Sequence, residues 1–236
     1  MRYDWLLLDA DGTLFDYDSA ERKALQATFA EFEQPFGPNT VAAYRRINKQ
    51  VWDAVEAGTV AEGDISVRRF SMLAEALGLS YDWAAFGAAY LRHLGEHADL
   101  MPAAEETLAE LYGRVGMVVV TNGLADVQRS RFALAPITRY LHDLVVSGEE
   151  GVAKPDRRIF DTALARAGNP PRERVLMVGD SLSADMVGGR DAGVDTCWFN
   201  PAGLPRDHEV QPTHEIRDLR QLLTLVSEGR VRCAAD

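Results

Sequence analysis

Short apolar runs recur along this chain, and each is followed by a polar or turn-forming residue. The runs cover residues 3–8, 117–120, 144–146, 175–178 and 196–199. They are continuous rather than alternating, which is typical of strands that are buried on both faces. The pattern therefore predicts five strands of a parallel sheet that is covered by helices.

Stretches with helical spacing connect the later strands. Apolar residues recur at helical intervals over residues 124–134, 159–167 and 184–192. Pro155 suits the start of the second of these helices, and Gly168 suits its end. This alternation of strand and helix predicts an α/β fold built on a Rossmann-like, doubly wound parallel sheet.

The connection between the first two strands is far longer than the others. Its pattern is nearly all helical, and it predicts helices over residues 20–32, 41–57, 66–77 and 83–97. Because a structureless loop of this length is uncommon inside a compact fold, we predict an inserted helical cap subdomain whose aromatic residues form its core. The predicted division is a first part of the core at 1–16, a cap at 17–100 and a second part of the core at 101–236.

Composition narrows the classes of function. The 236 residues include 25 Lys and Arg against 36 Asp and Glu, which gives a net charge of −11. Proteins that bind nucleic acid polymers normally carry the opposite sign, so we expect no such partner. No apolar run reaches the roughly 18 residues of a membrane span, and two cysteines make no disulfide framework. We expect a cytoplasmic protein, present as a monomer or a small homo-oligomer, that contacts no membrane.

Polar residues of a matched kind stand at the ends of the predicted strands. Asp9 and Asp11 follow the first strand, Thr121 ends the second and Asp180 follows the fourth, while Lys154 precedes a predicted helix. Ligands of open α/β sheets bind beyond the carboxyl ends of the strands, so we expect these side chains to share one pocket. Crowded carboxylates need a cation, and a few oxygen ligands suit Mg²⁺, for which Mn²⁺ is expected to substitute.

A pocket of this composition suits phosphate chemistry on a small molecule. The Asp9 carboxylate could attack a phosphate and form an aspartyl-phosphate, with Mg²⁺ and Lys154 neutralising the charge. Asp11 could donate a proton to the leaving alkoxide and later accept one from water. The Thr121 hydroxyl and the amides of Asn122 and the glycine after it could hold the remaining phosphate oxygens.

Together these motifs resemble those of the haloacid dehalogenase (HAD) superfamily. They are Asp9-Ala-Asp11-Gly-Thr13, Thr121, Lys154, and Gly179-Asp180 with Asp185 five residues on. Their order and spacing are similar to the superfamily over the whole core, and the helical insertion is similar to a type 1 cap. The resemblance implies Asp9 as the nucleophile, Asp11 as the acid and base, and Thr121 and Lys154 on the phosphate. It also implies a Mg²⁺ site formed by Asp9, Asp180, Asp185 and the backbone carbonyl of Asp11.

Further segments resemble the noncanonical pyrimidine nucleotidase branch of that superfamily. They lie at residues 3–5, 47–52, 148–155, 167–170 and 174–180, and so span core and cap alike. The resemblance implies a 5′-nucleotidase that removes phosphate from nucleoside monophosphates, with pyrimidines preferred. Since the core recognises only phosphate, the cap would choose the nucleoside, and Asn48, Lys49 and Trp52 are the candidate substrate contacts.

Several of these residues also have a purely structural interpretation when each is taken alone. Thr121 and Asp185 could cap helices, and Lys154 could lie on the surface. Asn48 and Lys49 could belong to a solvated helix face.

Other functions remain open from spacing alone. The nearest are a phosphatase for another small phosphomonoester, such as a sugar phosphate, and a sugar-phosphate mutase. A phospho-acceptor regulatory domain would gather similar residues around Mg²⁺ but would be shorter and lack the insertion. A 2-haloacid dehalogenase would need no Mg²⁺ and would lack the acid at Asp11.

Overall fold

The computed structural model describes residues 1–206 and 208–228, and these residues include a parallel β-sheet. Within these residues the sheet has six strands in the order β3-β2-β1-β4-β5-β6, and every neighbouring pair is parallel. The strands are β1 (Trp5–Leu8), β2 (Gly116–Thr121), β3 (Asp143–Val146), β4 (Val175–Gly179), β5 (Asp195–Phe199) and β6 (His214–Ile216). The predicted α/β fold with a doubly wound parallel sheet is confirmed, and the first five strands lie where the apolar runs predicted them.

The sixth strand was not predicted from the sequence. It pairs with β5 from Cys197 opposite His214 to Phe199 opposite Ile216. With only three residues and a half-buried Glu215 at its centre, it offers no apolar run. It forms because the edge of β5 supplies a template of backbone hydrogen-bonding groups.

The register of the central strands brings their carboxyl ends together. Leu8, at the end of β1, lies opposite Val119 of β2 and Val178 of β4. These strands are buried almost throughout, as continuous apolar runs between covering layers require. The residues that follow β1 and β4, and the last residue of β2, therefore reach the same edge of the sheet.

Several helices accompany the sheet. They are α5 (Ala104–Leu111), α7 (Ser147–Glu150), α8 (Arg157–Arg166), α9 (Val187–Asp191) and α10 (Gln221–Glu228), and one π-helical turn (Leu182–Met186) leads into α9. Of these, the spacing predicted α8 and the stretch that contains the π-helical turn and α9, but not α5, α7 or α10. Helix α8 buries Ile159 and Phe160 in one cluster with Val118, Val120 and Met177 of the sheet. This face of the sheet is thereby shielded from water, which is the main source of its stability.

The chain forms two compact units. The first comprises Met1–Asp16, Leu100–Asn122 and the described part of Ala135–Asp236, and it contains the whole sheet. The second comprises Tyr17–Asp99 and Gly123–Leu134. The predicted division into core parts at 1–16 and 101–236 and a cap at 17–100 stays a prediction.

The second unit is helical. It contains α1 (Tyr17–Glu31), α2 (Pro38–Glu56), α3 (Ile65–Leu77), α4 (Trp83–Gly95) and α6 (Ala125–Leu134). Its centre is aromatic: Phe29, Tyr44, Phe70, Phe86 and Tyr90 are fully buried in one cluster. Neighbouring rings pack at tilted or perpendicular angles, the arrangement that aromatic quadrupoles favour. The prediction that aromatic residues of the insertion form its core is confirmed for Tyr44, Phe70, Phe86 and Tyr90, but it is wrong for Trp83, which is exposed.

Two further sequence-based statements concern the chain as a whole. None of the helices in the described ranges combines the length and the apolar character needed to cross a membrane. Its place at the end of the sequence predicts that the tail from Glu228 to Asp236 frays, and these residues, except for Glu228 itself, fall outside the described ones.

Candidate active site

Asp9 lies immediately after β1 at the carboxyl edge of the sheet. Its backbone amide donates a hydrogen bond to the carbonyl of Val178 at 2.9 Å, which fixes it beside β4. The side chain is buried, and its Oδ1 accepts a hydrogen bond from Lys154 Nζ at 2.6 Å. Its Oδ2 is buried and has no hydrogen-bond partner among the residues that the structure describes. A buried carboxylate oxygen without a partner is costly and points to a ligand at this position.

Lys154 is shared by two carboxylates. Its ammonium donates to Asp185 Oδ1 at 2.7 Å as well as to Asp9, and all three side chains are buried. Burial by itself lowers the pKa of Lys154, but the charges of Asp185 and Asp9 outweigh it and raise the pKa above its ordinary value. Lys154 is therefore a fixed positive charge inside the site, and the surface interpretation of this residue is wrong.

The Asn122 side chain positions Lys154. Its Nδ2 donates to the Lys154 carbonyl at 3.0 Å, and its Oδ1 accepts from the Lys154 backbone amide at 2.7 Å. This reciprocal pair joins the residue after β2 to the loop before α8. The sequence predicted only that the backbone amide of Asn122 contacts a phosphate. It did not predict the role of the side chain, because that role depends on a tertiary contact that no local pattern reveals.

Asp180 and Asp185 complete an acidic cluster with Asp9. One carboxylate oxygen of each lies within 4.8 Å of the others; Asp9 and Asp185 are buried, whereas Asp180 is exposed. Asp185 Oδ2 accepts the Ser181 amide at 3.0 Å, and the Trp198 indole donates to the Asp180 carbonyl at 2.9 Å. Sequence reasoning missed Ser181 and Trp198 as supports of the cluster. A serine directly after Asp180, ahead of a helix, was the available signal for the first.

Asp185 has the structural role that the sequence allowed, while its role as a metal ligand stays a prediction. Its carboxylate accepts a hydrogen bond from the backbone amide of Ser181, the residue that caps the helical turn containing Asp185. The Ser181 Oγ in turn accepts a hydrogen bond from the Ala184 amide at 3.1 Å. This exchange resembles a capping box, which fixes the first turn of a helix. The same carboxylate binds Lys154 and belongs to the acidic cluster, so the cap also orients it toward the site.

The electrostatics of the cluster favour a cation. Burial and the charges of Asp185 and Asp11, only partly offset by Lys154, raise the pKa of Asp9 to about 7. Although Asp180 is exposed as a whole residue, its carboxyl group is crowded by the other acids; loss of hydration there and the charges of Asp9 and Asp185 raise the pKa of Asp180 well above its ordinary value. Three carboxylates against one ammonium leave two negative charges when all are ionised. An all-oxygen donor set with this charge and an unpartnered Asp9 Oδ2 fits a hard divalent cation.

Asp11 and Thr121 lie beside the cluster. Asp11 is half-buried in the turn after Asp9, where the Gly12 amide donates to the Phe15 carbonyl at 3.0 Å. The three-carboxylate group found among the described residues does not include Asp11. Thr121 ends β2 and is buried, with its hydroxyl 3.3 Å from the Asn122 carbonyl oxygen. The structure thus places both at the edge where the sequence predicted them, and their roles stay predictions.

The three candidate substrate residues lie on α2 of the helical unit, in different environments. Asn48 is buried and bonded to Arg69, whereas Lys49 is exposed and paired with Asp53 at 2.8 Å. Trp52 is half-buried and packs against the aromatic core of its unit. Asn48 and Trp52 are four residues apart and share a helix face, from which Lys49 points away.

The motifs and the fold together define the class of protein. A family model described as haloacid dehalogenase-like hydrolase matches residues 3–193. The chain belongs to this family, as the motifs predicted, and is a hydrolase.

Particular relatives match over nearly the whole chain. The HAD-hydrolase YfnB of Bacillus subtilis (strain 168) is 34% identical to this chain. The alignment covers 98% of this chain and 99% of YfnB. The pyrimidine 5′-nucleotidase YjjG of Escherichia coli (strain K12) is 34% identical, and the alignment covers 96% of this chain and 99% of YjjG. The pyrimidine 5′-nucleotidase PynA of Streptococcus pneumoniae (strain ATCC BAA-255 / R6) is 31% identical, over 97% of each chain.

A solved structure supports the same placement. The crystal structure of YfnB from Bacillus subtilis, determined with bound magnesium, aligns with a TM-score of 0.91 and 34% identity. The alignment covers 96% of this chain and 100% of YfnB. The two proteins therefore share their fold along nearly their entire length.

Proposed function

We propose that this protein is a Mg²⁺-dependent phosphomonoesterase that hydrolyses nucleoside 5′-monophosphates, pyrimidines preferred, through an aspartyl-phosphate. The observation that carries the proposal is the state of Asp9. Its Oδ1 accepts a hydrogen bond from Lys154 at 2.6 Å, while its Oδ2, inside the three-carboxylate cluster, is buried and meets no partner in the described part of the chain. The names of two relatives, both pyrimidine 5′-nucleotidases, support the substrate class.

Asp9 acts as the nucleophile. One carboxylate oxygen attacks the phosphorus atom, an Asp9–phosphate bond forms, and the bond between phosphorus and the ester oxygen breaks. Asp11 gives a proton to the leaving alkoxide, which departs as the nucleoside hydroxyl. Asp11 then takes a proton from water, the resulting hydroxide attacks the phosphorus, and inorganic phosphate leaves as Asp9 is regenerated.

The acidic cluster would hold the metal ion. Asp9, Asp180 and Asp185 would contribute oxygen ligands, together with the Asp11 carbonyl. When bound, Mg²⁺ neutralises charge on the phosphate and on the carboxylates and so permits attack by an anion. The cost of crowding these acids, visible in the raised pKa of Asp9, falls when a cation joins them.

The remaining groups bind the phosphate. The Lys154 ammonium, already positioned by Asn122, contributes a fixed positive charge, and the buried Thr121 hydroxyl can donate to a phosphate oxygen. The backbone amides of Asn122 and Gly123 are further donors at the start of a helix. Preorganised donors of this kind lower the barrier because they need not reorient as charge develops.

A phosphate-release assay tests the proposal. Purified wild-type protein with Mg²⁺ is screened against nucleoside monophosphates, sugar phosphates and p-nitrophenyl phosphate, alongside D9N and the control D191N, whose side chain is exposed. We expect pyrimidine nucleotides to give the highest kcat/KM, D9N to lose activity by orders of magnitude, and D191N to match wild type. A preference for sugar phosphates would overturn the nucleotide assignment, and an active D9N would overturn the mechanism.

A further inference from the structure

Trp198 links β5 to the loop that carries the acidic cluster. It lies opposite Gly179, the last residue of β4, in the parallel register of the two strands. Its indole N–H donates a hydrogen bond to the backbone carbonyl of Asp180 at 2.9 Å. An indole nitrogen can only donate, and Trp198 is buried, so this carbonyl satisfies a donor that would otherwise lose its partner. The bond ties the backbone of one cluster residue to the sheet.

The Asp180 carboxylate is held less directly than the other two of the cluster. Asp9 and Asp185 each accept a hydrogen bond from Lys154. In the part of the chain that the structure describes, no side chain donates a hydrogen bond to the Asp180 carboxylate. The negative charges of Asp9 and Asp185 act against it instead. The position of this carboxylate therefore depends on the backbone that carries it, and Trp198 holds that backbone.

The indole is itself fixed by apolar packing. It belongs to one buried cluster, which comprises Leu182, Met186, Trp198 and Val210. Two of these residues, Leu182 and Met186, are the ends of the π-helical turn on which Asp185 lies. Single π-helical turns are rare and are frequent at functional sites. Because close packing leaves a buried ring little freedom, the N–H of Trp198 is held at the Asp180 carbonyl.

We propose that Trp198 is a positioning residue that sets how tightly the acidic cluster binds Mg²⁺, because its N–H fixes the backbone of Asp180. The inference rests on the proposed function, in which Asp180 is a metal ligand. Mg²⁺ demands nearly ideal octahedral geometry with short bonds to oxygen, so a ligand that shifts by a few tenths of an ångström binds it poorly. Residues that orient metal ligands through hydrogen bonds typically change metal affinity by about 10- to 100-fold when they are replaced.

Two substitutions separate the hydrogen bond from the packing. W198F keeps a six-membered aromatic ring and removes the donor. W198H loses the six-membered ring but can keep the donor, because Nε2 of an imidazole lies two bonds beyond Cγ, as the indole nitrogen does. The control is W5F, which makes the same change in a half-buried tryptophan at the start of β1, at the other end of that strand from Asp9.

Two quantities are measured on chelator-treated protein at about pH 8, where an added imidazole is neutral. They are the Mg²⁺ dissociation constant, by isothermal titration calorimetry, and the thermal unfolding midpoint without metal. We expect W198F to raise the dissociation constant about tenfold or more, and W198H to stay within about threefold of wild type. The unfolding midpoint should fall further in W198H, which loses more buried apolar surface. A merely structural role would rank both quantities in the same order. W5F should leave the dissociation constant unchanged.

The contrary outcomes are distinct. If W198F binds Mg²⁺ as wild type does, if W198H binds it more weakly than W198F, or if W5F weakens binding as much as W198F, the inference is overturned while the proposed function stands. If the wild-type protein binds no Mg²⁺ and is fully active in excess chelator, the proposed metal dependence fails and the inference with it.

The inference stays testable if W198F does not fold, because W198H then decides the case. A dissociation constant within about threefold of wild type in W198H supports the hydrogen bond, whereas a larger rise, in a variant that keeps the donor, contradicts it.

Discussion

Gly12 and Asp180 lie so close together that a Cβ atom at position 12 would overlap the Asp180 carboxylate. The backbone of Gly12 also has a φ of +84°, a conformation that other L-residues rarely adopt. The turn that carries Asp11 and the loop after β4 can therefore approach each other only when residue 12 has no side chain.

This contact leads to a first prediction, for G12A. The added methyl group should displace Asp180 from the acidic cluster and strain the turn, so we expect Mg²⁺-dependent activity to fall about tenfold or more and the Mg²⁺ concentration for half-activity to rise. The measurement is a Mg²⁺ titration of phosphate release. G63A is the matched control, since an added Cβ at Gly63 meets nothing within 4 Å and its φ is not positive. Equal Mg²⁺ curves for G12A and wild type would refute the packing argument.

Metal removal is the second prediction. Dialysis against a chelator should abolish activity, because three crowded carboxylates without a cation repel both each other and a phosphate. Mg²⁺ or Mn²⁺ should restore turnover, whereas Ca²⁺ should restore little, since its larger and looser shell misplaces the reacting groups. Metal should also raise the thermal unfolding midpoint of the protein. Full activity in excess chelator would contradict the proposed role of the cluster.

The sequence predicted the sheet well because fully buried parallel strands leave continuous apolar runs. It predicted Asp9 and Lys154 at one site, although they are 145 residues apart, because Asp9 follows a strand at the edge where the strand ends converge and Lys154 stands in the motif order of the superfamily that the chain resembles. It did not predict the Asn122–Lys154 pairing or the Asn48–Arg69 pairing. An amide side chain can serve many partners, and only the packed structure decides which of them it meets.

The third prediction concerns Asn122. N122A removes two hydrogen bonds, of 2.7 and 3.0 Å, that hold the backbone of Lys154. We expect kcat/KM to fall about 10- to 100-fold, because a lysine that shifts by a fraction of an ångström no longer meets the phosphate. The unfolding free energy should fall by about 1–3 kcal/mol. N39A, an exposed asparagine replaced in the same way, should change neither quantity. Wild-type kinetics in N122A would show that Lys154 is positioned by Asp9 and Asp185 alone.

The fourth prediction is a pH dependence of stability at Asp195. Partial burial opposes ionisation, but hydrogen bonds from Tyr3 at 2.6 Å and Arg2 at 2.7 Å outweigh it and hold the pKa of Asp195 below its ordinary value. A carboxyl with a lowered folded-state pKa adds stability above its unfolded pKa of about 3.9, and that stability is lost as pH falls through the folded value.

D195N should therefore be less stable than wild type at pH 7, by about 1 kcal/mol, because it exchanges charged hydrogen bonds for neutral ones. The difference should shrink below about pH 4, where the wild-type carboxyl becomes protonated. Urea denaturation of both proteins from pH 3 to pH 8 measures it, with D191N as the exposed-carboxylate control. If the difference in unfolding free energy between D195N and wild type stays constant over this range, the stabilisation by Asp195 comes from the fit of its side chain and not from its charge.

The final prediction separates the two acids that follow β1. If Asp11 protonates the leaving group, its loss should matter most for alkyl esters, whose alkoxide leaves poorly without a proton, and least for p-nitrophenyl phosphate, whose leaving group is stable as an anion. We expect D11N to lower kcat for UMP at least tenfold more than kcat for p-nitrophenyl phosphate. D9N should abolish both, because every substrate needs the nucleophile. Parallel losses for the two substrates in D11N would instead assign Asp11 to the turn that Gly12 closes, and the proton would have to come from elsewhere.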